Sequence, residues 1–370
     1  MKSYKRNEMT HGRDAKILVI NPGSTSTRVA LFEGVVTLAE ASLAVPEPQP
    51  DEGLWEEFPK RLEDIRSWLE EEGMGRARLE AVVGRGGLLR PVEGGTFEVS
   101  EAMLADARSN SRGAHASNLG CALAKAVADE AARSAGAPVP AFVVDPVSTD
   151  EFHDLARYSG LAEIPRTSLS HALSIHALVL EVCRREGRGV EGSRFVVAHL
   201  GGGISVCPVA NGRILDANNA NSGGPFSPTR AGGLPTQELI GLCFAGNHSI
   251  RELREMTVKR GGMMSYLGTD DAREVEERIG GGDEDARLVY QAMAYQIAKE
   301  IGAMATVLKG QVEKILVTGG LASSEMLMEW ITQGVSFIAP VEICPEVEEM
   351  KALAMGALRV LRGETQVKEY

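Results

Sequence analysis

The stretch KILVINPGSTSTRVALFEG, residues 16–34, sets two hydrophobic runs around a turn of glycine, serine and threonine. A turn of this make-up suits an anion. Gly23 lets the backbone come close to a ligand, and Ser24, Thr25, Ser26 and Thr27 offer hydroxyl and main-chain N–H groups. It is not a Walker loop, which needs Gly-x-x-x-x-Gly-Lys-Ser/Thr leading into a helix. No such lysine is present, and Arg28-Val29-Ala30-Leu31-Phe32 continues as a strand closed by Glu33-Gly34. On these residues alone, a phosphate cradle and an ordinary hairpin both stay open, because hairpin turns favour the same residue types.

A repeat bears on that choice. RFVVAHLGGGISVCPVANGRILDANNA, residues 194–220, runs parallel to residues 16–42. Each segment opens with a basic residue and a buried-strand run, then a polar residue (Asn21 or His199), then a small-residue turn. A second strand, a tight turn (Glu33-Gly34 or Asn211-Gly212) and a third strand follow, and Asn-Gly is a strong hairpin signal. The same meander used twice predicts two domains of shared architecture, each aiming a turn at a common cleft. A third site is Lys314-Ile315-Leu316-Val317-Thr318-Gly319-Gly320, a strand and a Gly-Gly turn, with Ser323-Ser324 placed to cap a helix starting at Glu325. A ligand there would meet a helix N-terminus, which favours phosphate or the polar edge of a nucleoside. Helices are predicted over 117–135, which is alanine-rich, and over 288–308, where Val289, Ala292, Met293, Ile297, Ile301, Met304 and Leu308 fall at helical spacing. The alternation of strand-rich and helical stretches makes this an α/β protein.

Bulk properties narrow the function. The chain has 370 residues, 44% hydrophobic and 24% charged, with a net charge of -12. That is an ordinary globular composition of two-domain length. No basic block suggests nucleic acid, and no apolar stretch approaches membrane-spanning length. The first 15 residues lack the apolar core of a signal peptide and read as a loose extension. Five scattered cysteines without a C-x-x-C pair fit reduced thiols in the cytoplasm. His171 and His176 are five apart, not the i, i+4 spacing of a helical metal pair.

Taken together, the ordered stretches INPGSTSTRVALFE, AVVGRGGLLRP, HASNLG, VVDPVSTDEFH, SHALSIH, AHLGGGISV, GGPFSPTRAGGLP, SYLGTDDAREVE, YQAMAYQIAKEIGAMA, VTGGLA and EEMKALAMGALRV resemble the butyrate kinases, relatives of acetate kinase in the acetate and sugar kinase/actin-like superfamily. The resemblance covers nearly the whole chain, from Lys16 to Arg362. It implies a duplicated actin-like (ribonuclease H-like) two-domain fold with an interdomain cleft. The expected domains are 16–190 and 191–370, the last helix being free to pack back on the first. It implies ATP-dependent phosphorylation of a short-chain fatty acid, butyrate or a branched four-to-five-carbon acid, and the reverse reaction forming ATP. The implied cofactors are ATP or ADP and Mg²⁺, and the implied assembly is a homo-oligomer in the cytoplasm, with no nucleic-acid or membrane partner.

The residues make chemical sense of that reaction. A carboxylate nucleophile is already ionised at neutral pH, so no general base is needed. What is needed is in-line positioning and cations around the moving phosphoryl group. Arg85 in VGRGG and Arg230 in PTRAGG match arginines of acetate kinases that contact the acid and the phosphoryl group, and a planar guanidinium suits both. Arg90 is a weaker candidate. His171 matches the histidine that stabilises the transition state, and His199 precedes the Gly201-Gly202-Gly203 turn expected near the phosphates. His115 reads as structural. Asp145, ending the apolar run 141–144, matches the catalytic aspartate and would share Mg²⁺ with Glu349, preferred over Glu348. Asn21, Ser24, Thr25, Ser26 and Thr27 are expected at the transferred phosphoryl group with Arg28 behind them, and Gly319 and Gly320 beside the adenosine.

Gly86 and Gly87 stand where the acetate kinases carry bulkier residues, which we read as room for a longer acyl tail. Thr229 stands where the family commonly has an acid. Three alternatives share parts of the pattern: an acetate or propionate kinase, a sugar kinase using Asp145 as base, and a nucleotide-dependent actin-like binding protein.

Overall fold

The computed structural model describes residues 15–45, 53–73, 79–345 and 347–370. The elements, in chain order, are β1 (Lys16–Pro22), β2 (Ser26–Glu33), β3 (Val36–Ala44), α1 (Phe58–Glu71), β4 (Ala81–Arg85), β5 (Thr96–Glu98), α2 (Glu101–Ser109), α3 (Gly120–Ala135), β6 (Ala141–Val144), α4 (Ala172–Arg185), β7 (Arg194–Leu200), β8 (Ile204–Ala210), β9 (Arg213–Ile214), α5 (Thr236–Phe244), α6 (Ile250–Val258), α7 (Gly262–Leu267), α8 (Ala272–Gly280), α9 (Glu284–Val307), β10 (Lys314–Thr318), α10 (Glu325–Val335), β11 (Val341–Ile343) and α11 (Glu349–Leu361). They form two compact units. The described residues up to Thr149, with 348–370, make the first; Asp150–Val347 makes the second.

The first unit is a six-stranded sheet in the order β3-β2-β1-β4-β6-β5, and the second a five-stranded sheet in the order β11-β10-β7-β8-β9. Read from β1 and from β7, the two sheets share one topology. An antiparallel meander (β1-β2-β3, β7-β8-β9) is extended on its other side by two parallel strands (β4 and β6, β10 and β11). The first unit adds β5, antiparallel to β6 at the edge. The central strands are buried along most of their length, as the apolar runs ILVI, AVV, FVVA and ILV dictate for strands covered on both faces. The Asn211-Gly212 turn has both residues at positive φ, 53° and 75°, which a two-residue type I′ hairpin requires.

The core of the first unit joins Leu18, Ile20, Val29 and Leu31 to α1, α2 and α3; α11 lies against β1, β4 and β6, so the last helix belongs to the first unit. The second core joins β7, β8 and β10 to α9 and α10. Residues 150–190 differ from the sequence expectation, since they belong to the second unit. The reason is packing: Ile175, Val179 and Val182 of α4 share an apolar cluster with Phe195, Val197 and Leu316. The expected extension over residues 1–15 lies outside the described residues except for Ala15, whose carbonyl accepts the Gly34 N–H. Among the described residues no helix is long and apolar enough to cross a membrane, and the five cysteines are free thiols.

Candidate active site

In each unit the chemically suited residues gather at the carboxyl ends of the parallel strands, where open α/β sheets place ligands. In the first unit β1 delivers Asn21, β4 delivers Arg85, and Asp145 follows β6. The Asn21 amide donates to Glu349 Oε2 at 3.1 Å, and Arg85 Nη2 lies 3.7 Å from Glu349 Oε1. Glu348 instead takes the N-cap position of α11, with Glu349 the first helical residue. That distinguishes the two neighbouring acids: Glu349, not Glu348, makes the contacts to Asn21 and Arg85.

Arg85 is held by backbone packing. A Cβ on Gly84 would fall 2.1 Å from the Gly120 carbonyl oxygen, and one on Gly120 would fall 2.1 Å from the Arg85 carbonyl oxygen, so β4 and the start of α3 touch only because both are glycine. The Arg85 guanidinium is buried, and its Nη1 has no hydrogen-bond partner among the described residues. A buried donor left unpaired is costly unless a ligand completes it. Asp145 is buried in the left-handed region, φ 39°, a strained conformation for a non-glycine residue and common at functional positions. Its Oδ1 accepts the Gly95 N–H at 2.7 Å. Nearby, burial pulls the Arg359 pKa down while the Asp145 charge pushes it up; sequence reading missed this arginine on α11.

Several expectations for the first unit change. Thr27 faces inward: it is buried and its hydroxyl accepts from Arg61. Ser24 and Thr25 are exposed and Ser26 partly so, leaving these three on the outer side of the turn. Arg28 pairs with Glu40 at 2.6 Å on the sheet surface, both side chains well exposed. Gly86 and Gly87 do not open space for an acyl tail. A Cβ on Gly86 would fall 2.5 Å from Pro146 and Val143, and one on Gly87 2.1 Å from Asn118 Oδ1. Arg90 is taken up by the C-terminus, its guanidinium lying 4.1 Å over the Tyr370 ring. His115 accepts from the Ser117 N–H as the cap of a 3-10 turn, the structural part expected of it.

In the second unit the rings of His171 and His199 stack at 4.0 Å between centroids, and His171 Nδ1 lies 2.9 Å from Ser205 Oγ. Ser205 is the cross-strand partner of His199, so the β7–β8 register sets the stack. The Gly201–Gly203 turn and the Arg230 loop are bound to each other. Ser227 and Thr229 hydroxyls donate to the Gly202 carbonyl at 2.6 and 3.0 Å, and a Cβ on Gly203 would lie 2.3 Å from Arg230 Nη1. Thr229, the departure from the family pattern, is thus a structural donor here. Arg230 Nη1 donates to the Ala220 carbonyl at 3.0 Å, and burial lowers its pKa.

Gly319, at φ 92°, approaches so closely that a Cβ would lie 2.3 Å from the Leu200 carbonyl oxygen, joining the Gly-Gly turn to the end of β7. Ser324 caps α10 by accepting the Leu327 N–H. A cavity of ≈ 560 Å³ opens there, lined by Gly201, Gly202, Gly320 and Ser324 and by Asp271 and Arg273 at the start of α8. Its size suits a nucleoside. The polar groups of α8 were missed because charged residues at a helix start read as an ordinary solvated cap; Asp271 does cap α8, accepting from the Arg273 N–H.

Two sheets of one topology, each bearing a small-residue turn, with buried Arg85 in one unit and partly buried Arg230 in the other, fit the actin-like class. Comparison with known proteins places it within that class. The acetokinase family model matches residues 170–356. The chain is 47% identical to a probable butyrate kinase 2 of Caldanaerobacter subterraneus subsp. tengcongensis, over 96% of this chain and 99% of that protein. It is 42% identical to butyrate kinase 2 of Clostridium acetobutylicum, again over 96% and 99%. In fold it is similar to the crystal structure of Porphyromonas gingivalis acetate kinase, with a TM-score of 0.76 at 20% identity over 94% of this chain and all of that one. A Francisella tularensis propionate kinase superposes with a TM-score of 0.72 at 17% identity, over 92% of this chain and 98% of that one. The chain belongs to the acetokinase family and is an ATP-dependent kinase of short-chain carboxylates.

The family implies a divalent metal ion beside the nucleotide. Among the described residues no three histidine, cysteine, aspartate or glutamate side chains cluster as a cage. Asp145, just after β6, and Glu349, at the start of α11, fit a metal bound mainly through phosphate oxygens and water, with one or two carboxylates from the protein.

Proposed function

We propose that the enzyme transfers the terminal phosphoryl group of ATP to butyrate or a branched four-to-five-carbon acid, and runs the reverse reaction. The buried Arg85 guanidinium, whose Nη1 has no partner among the described residues, carries the reading, since that donor suits an anionic acceptor. Arg85 binds the carboxylate and orients its oxygen for in-line attack. Arg230, His171 and His199 stabilise charge on the phosphoryl oxygens. Asn21, Ser24, Thr25 and Ser26 donate to that group, the Gly201–Gly203 turn lies along the remaining phosphates, and Gly319 and Gly320 border the adenosine. Arg28 stands behind the turn and is already paired by Glu40. The ion is Mg²⁺, held by Asp145 and Glu349; when bound it neutralises phosphate charge. The choice of butyrate rests on the relatives' names and on identity over nearly their full length.

The same reading makes the enzyme a cytoplasmic homo-oligomer. In support, α5 buries none of its residues yet carries Ile240, Leu242 and Phe244, the last 87% exposed. Acyl hydroxamate formation with ATP, Mg²⁺ and acids from acetate to hexanoate tests the function. Turnover peaking at four or five carbons is expected. A peak at two or three carbons would make it an acetate or propionate kinase, and no hydroxamate with any acid would overturn the reading.

A further inference from the structure

Arg61 of α1 is 1% exposed and belongs to none of the roles above. Its Nε and Nη2 both donate to Glu57 Oε2, at 2.8 and 2.6 Å. The rest of the guanidinium is spent on the Gly23–Thr27 turn. Nη2 donates to the Gly23 carbonyl at 2.9 Å, and Nη1 donates to Thr27 Oγ1 at 2.8 Å and to the Ser26 carbonyl at 3.5 Å. All five donors of the side chain are thereby engaged.

This arrangement decides which way the turn faces. In a trans peptide the carbonyl of one residue and the N–H of the next point in opposite directions. With the Gly23 carbonyl drawn inward to Arg61, the Ser24 N–H points outward. The Ser26 carbonyl accepts the Gly23 N–H at 2.7 Å as well as Arg61, and the Thr25 carbonyl accepts the Val45 N–H at 2.9 Å. The carbonyls of Gly23, Thr25 and Ser26 are therefore all satisfied within the protein, and an anion approaching exposed Ser24 and Thr25 meets donors rather than these lone pairs. An isolated Arg61–Glu57 pair would cap only its own helix end and would leave the turn free to rotate its carbonyls toward the ligand.

We propose that Arg61 is a positioning residue for phosphoryl transfer: without touching the substrate, it holds the Gly23–Thr27 turn with its Gly23 and Ser26 carbonyls inward and the Ser24 N–H toward the transferred phosphoryl group. The identity of that group rests on the function proposed above. Glu57 balances the buried cation, so the turn gains its clamp without adding net charge.

The test compares wild type with Arg61→Lys and Thr27→Val. Lysine keeps a cation for Glu57, but a single nitrogen cannot bridge the Gly23 carbonyl and the Thr27 hydroxyl as the guanidinium fork does. Affinities for AMP-PNP and for ADP are measured by titration calorimetry, together with kcat and the KM for butyrate. Arg61→Lys is expected to lower kcat roughly tenfold, with the KM for butyrate within about threefold. The preference for AMP-PNP over ADP should fall by a similar factor while ADP affinity holds. Thr27→Val, which keeps the shape and removes one acceptor, should give a smaller loss of the same kind. It decides the question if Arg61→Lys does not fold. A folded variant with a lowered melting temperature but an unchanged AMP-PNP to ADP affinity ratio would overturn the proposal and leave Arg61 a core ion pair. If wild type makes no hydroxamate, the butyrate reading falls separately, and the affinity ratio still judges Arg61.

Discussion

The β1–β2 turn of the first unit and the β7–β8 turn of the second occupy the same place in sheets of one topology, yet they are stabilised from opposite directions. The first is a serine/threonine turn whose carbonyls are gathered by a buried cation, Arg61, behind it. The second is a triple-glycine turn whose Gly202 carbonyl is gathered by hydroxyls of the loop that carries Arg230. In the first, the clamp is a residue of α1, outside the turn itself. In the second, the clamp is part of the loop that carries the cation, and the glycine at 203 leaves that cation its place. The difference teaches that a duplicated fold can keep its strand order while holding its turns differently: a buried side chain from a neighbouring helix in one half, hydroxyls of a loop against a glycine backbone in the other.

Replacing the arginines should have the largest effect, because it removes the guanidinium fork from whichever half carried it. Arg85→Lys and Arg230→Lys are each expected to cost about 10³-fold in kcat/KM, the lower end for arginines that stabilise phosphoryl transfer. Lysine keeps the charge but not the two-point geometry. Steady-state hydroxamate kinetics should separate them: Arg85→Lys should raise the KM for the acid, and Arg230→Lys should mainly lower kcat. If the two variants had the same profile, the division of labour between the halves would be wrong.

A glycine replacement in each turn sharpens the comparison at intermediate size. Gly203→Ala puts a methyl 2.3 Å from Arg230 Nη1, the movable end of a side chain, so the protein should fold but displace the guanidinium. Roughly a 10- to 100-fold loss in kcat is expected, on the scale of a misplaced transition-state contact. Gly23→Ala meets only the Ser26 carbonyl, at 3.2 Å, and Arg61 lies behind the turn. A few-fold loss at most is expected there. Equal losses would mean that the first turn's backbone, rather than its hydroxyls and its clamp, is what matters.

Much of this organisation is legible in the sequence. The repeated meander, the Asn-Gly turn, the Gly-Gly turn and the Ser324 cap follow from strand periodicity and turn chemistry, which are local signals. The residues that were missed or misplaced depend on which way a side chain faces in the folded unit. Thr27 looks like one more hydroxyl in a polar turn, but its strand alternates, and between partly buried Ser26 and exposed Arg28 it points inward. Arg61 looks like surface charge in FPKRLEDIRSWLEE. The available signal was its register, since Arg61, Ile65 and Trp68 form one stripe and all three are buried. Gly86 and Gly87 read as open space because a missing side chain looks the same in sequence whether the room is vacant or filled, here by Pro146 and Asn118. The placement of residues 150–190 depends on packing of α4 against β7, a long-range contact that no local pattern encodes.

The smallest predicted effect separates the two sheets at their parallel edges. In the first, β5 covers β6 and the Lys368 N–H donates to the Thr96 carbonyl. In the second, β11 is an edge flanked by charge: Lys314 bridges Glu186 and Glu342 at 2.6 and 2.7 Å, and Arg185 pairs with Glu342 at 2.5 Å. The hydrogen bond from Lys314 is the main cause holding the pKa of both Glu186 and Glu342 below the ordinary glutamate value of 4.5. A carboxylate whose folded pKa is depressed contributes stability that is complete above its unfolded pKa and is lost as pH falls through the folded one. The second unit should therefore lose stability as pH falls below about 4.5, by under about 1 kcal/mol per pair because these groups are solvent-screened. Lys314→Met should flatten this part of the pH dependence without changing activity at neutral pH. Amide hydrogen exchange resolves it by sheet: β11 amides should lose protection before those of β6 on acidification, and earlier loss in β6 would show that the charged edge is not the weaker of the two.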